Sequence, residues 1–109
     1  MQVVATAGPA SSTVELRVRG ELDMASAPEL ASALDGLLTA DPRVVVLELA
    51  DLSFLDCAGM RPIRAASAAL RCKGGALVIR HPRPLVEQTL RLAGLAEALE
   101  GGRRLLASP

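Results

Sequence analysis

The sequence predicts an α/β fold, with helices laid on a mixed sheet. Three observations predict it. Strand-like signals at the start give way to alternating helix, strand, helix, strand and helix patterns. Arg43 to Leu49 is an almost unbroken Val/Leu run, as in a strand covered on both faces. Half of the 109 residues are hydrophobic, enough for one domain with a single core.

Met1 to Ala7 reads as a first strand, and Gly8-Pro9-Ala10-Ser11-Ser12 as turn chemistry. Val14, Leu16 and Val18 alternate with Glu15, Arg17 and Arg19, a period-2 strand with one wet face that can form a hairpin with the first. Gly20 to Asp23 leads away from it. Ser26-Ala27-Pro28-Glu29 has the form of a capping box, in which the Ser hydroxyl accepts from the third helical N–H and the Glu reaches back. Pro28 is tolerated in that first turn. Ser26 is also a candidate phosphorylation site, but the local sequence explains it fully as a cap. Leu30, Leu34, Leu37 and Leu38 form the apolar stripe of the helix that follows, and Asp41-Pro42 ends the connection to the central strand.

After that strand, Asp51 and Ser53 break the apolar run, and Gly59 lets the backbone turn tightly and approach closely. Met60, Ile63, Ser67 and Leu70 then recur at helical spacing, so a helix is expected from about Ala58 to Cys72. Pro62 falls in its first turn or just beyond, where it can remove one backbone hydrogen bond. Arg61, Arg64 and Arg71 share one face, either solvated opposite the core stripe or a basic docking surface. Lys73-Gly74-Gly75 ends the helix. Ala76 to Ile79 is a short buried strand, and His81 a surface loop residue. Pro84 opens the last main helix, with Leu85, Val86, Leu90 and Ala93 as its inner face and Gly94 as its end. Leu95 to Leu99 adds a turn or short helix. Gly101-Gly102 separates a tail, irregular or an edge strand, that holds Leu105 and Leu106.

A strand leading through a tight loop into a helix presents unpaired N–H groups and the positive end of a helix dipole, a natural place for binding or regulation. The residues there, Leu52-Ser53-Phe54-Leu55-Asp56-Cys57-Ala58-Gly59-Met60, resemble the signature of STAS domains, the anti-sigma factor antagonist family. That family's pattern is Ser-Phe-apolar-Asp-Ser-Ser/Thr-Gly-Leu. Three further blocks agree in order and spacing: Gly20-Glu21-Leu22-Asp23 with Ala27-Pro28 and Leu30, then Gly74-Gly75, then Gly94-Leu95. Together they run from about Val14 to Leu99. The resemblance implies a single STAS-type domain over residues 1–109, a small mixed sheet with its helices largely on one side. It also implies a regulatory module that binds an anti-sigma factor of the serine-kinase type, which phosphorylates the hydroxyl before the glycine. That position is Ala58 here, and the preceding serine is Cys57. The matching residues Asp23, Asp56, Cys57, Gly59 and Met60, with Arg61, are the expected partner-binding set, without the phosphorylation switch. Asp56 can equally cap the helix. The alternative within the resemblance is an interaction subunit of a lipid-transport or transporter-associated assembly.

No catalytic constellation, phosphate loop or metal-ligand cluster is present, so neither enzyme activity nor a cofactor or metal is expected. Twelve basic residues balance twelve acidic ones, which argues against a nucleic-acid or membrane-surface binder. Phe54 is the one aromatic residue, so base stacking is not available. No apolar stretch approaches the roughly 20 residues that span a bilayer, and no signal peptide is expected at the start of the sequence; the expectation is a soluble cytoplasmic protein, with a homodimer as one option. Cys57 and Cys72, at opposite ends of one helix, lie roughly 22 Å apart by helical rise, too far for a disulfide. Cys57 is a candidate redox thiol because a helix N-terminus favours thiolate, although the neighbouring Asp56 opposes this.

Overall fold

The computed structural model describes residues 1–7 and 12–107. The turn expected at Gly8 to Ser11 lies outside the described residues. The elements run β1 (Gln2–Ala7), β2 (Thr13–Leu22), α1 (Ala27–Leu38), β3 (Val44–Glu48), β4 (Leu52–Leu55), α2 (Cys57–Cys72), β5 (Ala76–Arg80), α3 (Pro84–Leu92) and α4 (Ala96–Ala107). The sheet order is β1-β2-β3-β5, with β4 paired to β2. β1 is antiparallel to β2; every other pair is parallel, so the sheet is mixed.

The alternation in β2 sets the two faces. Register places Leu16, Leu47 and Ile79 side by side, and Arg17, Glu48 and Arg80 side by side one residue later. The first row belongs to a core shared with Leu30 and Leu34 of α1 and with Met60, Ile63, Ala66 and Leu70 of α2. The second row is a charged face. There Arg80 Nη2 donates to Glu15 Oε2 at 2.6 Å, and Arg17 Nε to Glu15 Oε1 at 3.0 Å. The Arg17 hydrogen bond, helped by the Arg80 charge and opposed by partial burial, holds the Glu15 carboxyl below its ordinary range.

β4 was not expected. It continues the line of β3 along β2: Arg17 pairs with Glu48, and Gly20 with Leu52. The intervening residues bulge, with the Gly20 N–H donating to Asp51 O, and the register shifts again between Gly20 and Glu21. Asp51 and Ser53 therefore mark a bulge and an outward-facing strand position, not the end of pairing.

Three further expectations are corrected. Ser26 does not form a capping box: it is already helical (φ −98°, ψ −13°) and makes no cap bond. Leu85 is exposed and not part of the inner face of α3, which buries Val86 and Leu90. The tail is neither irregular nor an edge strand, because α4 runs through Gly101 and Gly102 to Ala107. Those glycines act by closeness. A Cβ on Gly102 would overlap the Ile79 carbonyl, and one on Gly101 would sit 2.8 Å from Val78 Cγ1, so they let α4 lie directly on β5. Gly74, at φ +78°, does end α2 as expected: its N–H donates to Arg71 O and the Gly75 N–H to Leu70 O.

Candidate functional site

The candidate site is the junction of three chain segments: the end of β2, the end of β4 and the start of α2. Asp56 joins them. Its N–H donates to Leu22 O at 3.2 Å, and its carboxylate Oδ1 accepts from the Gly59 N–H at 3.0 Å. With extended dihedrals (φ −115°, ψ −177°), Asp56 is the N-cap of α2. Of the two roles offered for it, the cap is the one visible in the geometry.

Cys57 and Ala58 are then the first two helical residues, and their N–H groups have no acceptor inside the helix. Cys57 and Arg61 are exposed, Ala58 half-buried. Pro62, inside the helix, has no N–H to give the Ala58 carbonyl. Position 58 thus borders a backbone donor and a backbone acceptor that the helix itself does not use.

Gly59 and Met60, both expected at a partner surface, are buried. Gly59 is no turn residue: it lies within α2. A Cβ there would stand 2.6 Å from Leu22 Cγ and 2.7 Å from Leu22 O, so the glycine exists for close approach of α2 to β2. Met60, 2 % exposed, belongs to the core with Leu22, Leu55 and Ile63.

Asp23 is placed at the same end, but as the organiser of a turn. Its Oδ1 accepts from the N–H groups of Ala25 and Ser26, both at 3.0 Å, and its carbonyl accepts from the Ala27 N–H at 2.8 Å. Its own N–H donates to Ser26 Oγ at 2.9 Å. That hydroxyl lies 2.9 Å from Glu21 O and 3.1 Å from Asp23 Oδ1, and its single proton serves one of them at a time. The Ser26 N–H and then the Ser26 hydroxyl pull the Asp23 carboxyl below its ordinary range. This is an Asx-type turn, which explains why a Ser so well placed for a box caps nothing.

The exposed apolar residues here went unnoticed in the sequence. Met24, 76 % exposed, follows Asp23, and Phe54, 47 % exposed, precedes Asp56 by two. Their signal is positional: a large apolar side chain in a turn, and one at an outward β4 position beside Glu21. Ser53, the nearest hydroxyl, donates to Gly20 O at 3.0 Å.

Two observations bear on chemistry. The only histidine, His81, is exposed as expected, but its Nδ1 is 2.7 Å from Glu48 Oε1. Among the described residues no cluster of three or more His, Cys, Asp or Glu could hold a metal ion. Cys57 and Cys72 are free and exposed, the first and last of the 16 residues of α2. Among the described residues no helix is long and apolar enough to cross a membrane.

The STAS domain family model matches residues 5–105. Among solved structures, that of the anti-sigma factor antagonist SpoIIAA in its unphosphorylated form is similar with TM-score 0.75 and 20% identity, over 86% of this chain and 82% of that one. An anti-sigma factor antagonist from Mycobacterium paratuberculosis is similar with TM-score 0.76 and 22% identity, over 94% and 93%. A sulfate transporter family protein from Wolinella succinogenes matches with TM-score 0.69 and 17% identity, over 94% and 93%. At these identities the likeness is one of fold.

Proposed function

The chain belongs to the STAS domain family, and on that footing we propose that it is a protein-binding regulatory module of the anti-sigma factor antagonist type. Its partner is an anti-sigma factor of the serine-kinase class, bound without the usual phosphorylation switch. The observation that carries this reading is the pair of exposed apolar side chains, Met24 next to the Asp23 turn and Phe54 two residues before the cap Asp56. Large apolar groups left in water beside a helix N-terminus are what a partner surface desolvates on docking.

The docking surface in this reading comprises Met24, Phe54, Cys57, Ala58 and Arg61. Asp23 and Asp56 act beneath it, holding the turn and the helix start. Gly59 and Met60 set the depth at which α2 sits. Ala58 has no oxygen to accept phosphate, so the two negative charges that a phosphate brings never enter this surface. In this reading the Cys57 thiol, free and exposed, stands in for the missing hydroxyl as the sensitive group of the loop; the alternative is a small inert residue in the place of a serine. Its oxidation would add bulk or charge where the family carries phosphate, and faster alkylation of Cys57 than of Cys72 below about pH 8 would mark it as such.

The test is calorimetric titration of the chain into the kinase-type anti-sigma factors of its own organism, followed by incubation with ATP and Mg²⁺. We expect binding to one of them, at least tenfold weaker for Met24→Asp, and no phosphate on residues 56–60 by mass spectrometry. Absence of binding to all of them, or phosphate mapped to that loop, overturns the reading. Capture with a membrane transport complex instead would support the transporter-associated alternative.

A further inference from the structure

Among the described residues the sheet ends at β1 on one side and at β5 and the short β4 on the other, and the β1 and β5 edges are built differently. At the β5 edge α4 lies so close that Gly102 meets the Ile79 carbonyl, which closes that edge to further pairing. The other edge is β1, which among the described residues pairs only with β2. An open edge strand is a template for another strand, and proteins usually guard it with charge, proline or a bulge. β1 has none of these. Its sequence, Gln-Val-Val-Ala-Thr-Ala, carries no charge and no proline in a chain that is 22% charged. Its pairing with β2 is unbroken from Gln2 to Ala7. Val4 is 52 % exposed.

We propose that β1 is a dimerisation edge, at which a second copy of this chain adds its own β1 antiparallel to form one continuous sheet.

The geometry restricts the register. Residues directly opposite one another must lie on the same face, so a two-fold axis passes through a residue and not between two. An axis at Val4 sets Gln2 against Thr6, Val3 against Ala5, and Val4 against its own copy. Within each sheet Gln2 pairs with Arg19 and Thr6 with Glu15. The outer rows across the junction therefore read Arg19, Gln2, then Thr6 and Glu15 of the second copy, so opposite charges face each other twice, while the central row, Arg17, Val4, then Val4 and Arg17 of the second copy, sets like against like once. An axis at Val3 would bring the Arg19 and Arg17 rows together, like against like. An axis at Ala5 also alternates charge, but it sets Val4 against Thr6 and leaves Gln2 beyond the paired segment. Five residues per strand make a small interface, at the low end of the size range, so the dimer is reversible and depends on concentration. Its edge is distinct from the α2 site, and it neither needs nor excludes an anti-sigma partner.

Sedimentation velocity from low micromolar to near-millimolar concentration reads the assembly directly. The mass is expected to rise toward twice the 11.3 kDa monomer. Val4→Lys should raise the dissociation constant at least tenfold while the melting temperature falls by only a few degrees, since this side chain is half-exposed and lies opposite Arg17. In a chain with Cys57→Ser and Cys72→Ser, Val4→Cys should oxidise to a covalent dimer far faster than a single-cysteine control that keeps Cys72. A monomer at every concentration overturns the proposal. So does a dimer indifferent to Val4→Lys, or Val4→Cys linking no faster than the control.

Discussion

Glycine in a helix normally costs stability relative to alanine, so Gly59→Ala ought by propensity to stabilise α2. The structure reverses that sign. A Cβ at position 59 would stand 2.6 Å from Leu22 Cγ and 2.7 Å from Leu22 O. The carbonyl cannot yield, because it accepts the Asp56 N–H that ties α2 to β2, and Leu22 is fully buried. Overpacking of this kind costs about 1–3 kcal/mol, and the propensity gain returns at most ~1 kcal/mol. At central values the net is a loss of about 1 kcal/mol, or a fall of roughly 4–8 °C in melting temperature for a domain of this size. Gly36 in α1 supplies the control: nothing lies within 4 Å of a Cβ there. Gly36→Ala should therefore stabilise by about 0.5–1 kcal/mol. Thermal melts of the two variants, followed by circular dichroism, decide the matter. A Gly59→Ala protein that melts at or above the wild-type temperature would refute the close-approach argument, and with it the account of how α2 is seated.

Three other outcomes are expected. Met60→Asp should abolish folding by placing an unpaired charge in the core, whereas Met24→Asp should keep stability within about 0.5 kcal/mol; denaturant titration of both separates core from surface at this site. Asp56→Ala should cost about 1 kcal/mol as a lost helix cap, and Asp56→Asn much less; equal losses in urea melts would mean that the charge and not the cap matters. For Asp23 the folded carboxyl lies below its unfolded value, so its contribution is fully present above about pH 4 and is lost as pH falls through the folded value. Asp23→Asn, which keeps an acceptor oxygen, should therefore flatten the acid limb of the stability profile; an unchanged limb in melts taken from neutral to strongly acidic pH would remove Asp23 from it.

Much of the architecture is legible where a pattern is periodic. The alternation of Val14, Leu16 and Val18 with charged residues, and the almost unbroken Val/Leu run from Arg43 to Leu49, point to a wet sheet face and a buried centre. Pro84 and Gly94 bounded α3 because each has a specific backbone reason to be there. What failed was local chemistry overruled by tertiary contacts. Ser26 and Glu29 have the letters of a capping box, but the Asp23 carboxylate takes the turn first. Asp51 and Ser53 look like a strand end, yet β2 is long enough to pair past the bulge. Gly101 and Gly102 look like a breaker, yet they are the residues that fit against β5. At the candidate site the sequence leaves Asp56 between cap and partner contact, and the structure shows the cap. Met60 was misplaced because matching a motif does not reveal which side of the helix the core claims. Met24 and Phe54 were missed because exposure is not written in a residue's type.

β2 is the one strand that pairs with β1, β3 and β4 together. Its amides should be among the slowest to exchange with deuterium, released only when the whole domain opens, while β1 can peel away at lower cost. The same strand ends in Leu22, whose carbonyl receives Asp56 and whose side chain receives Gly59. The start of α2 is therefore the last stitch of the sheet and not an appendage to it. A chain still acquiring its structure has no such junction, so under the proposed function a partner docking there would meet only folded chains.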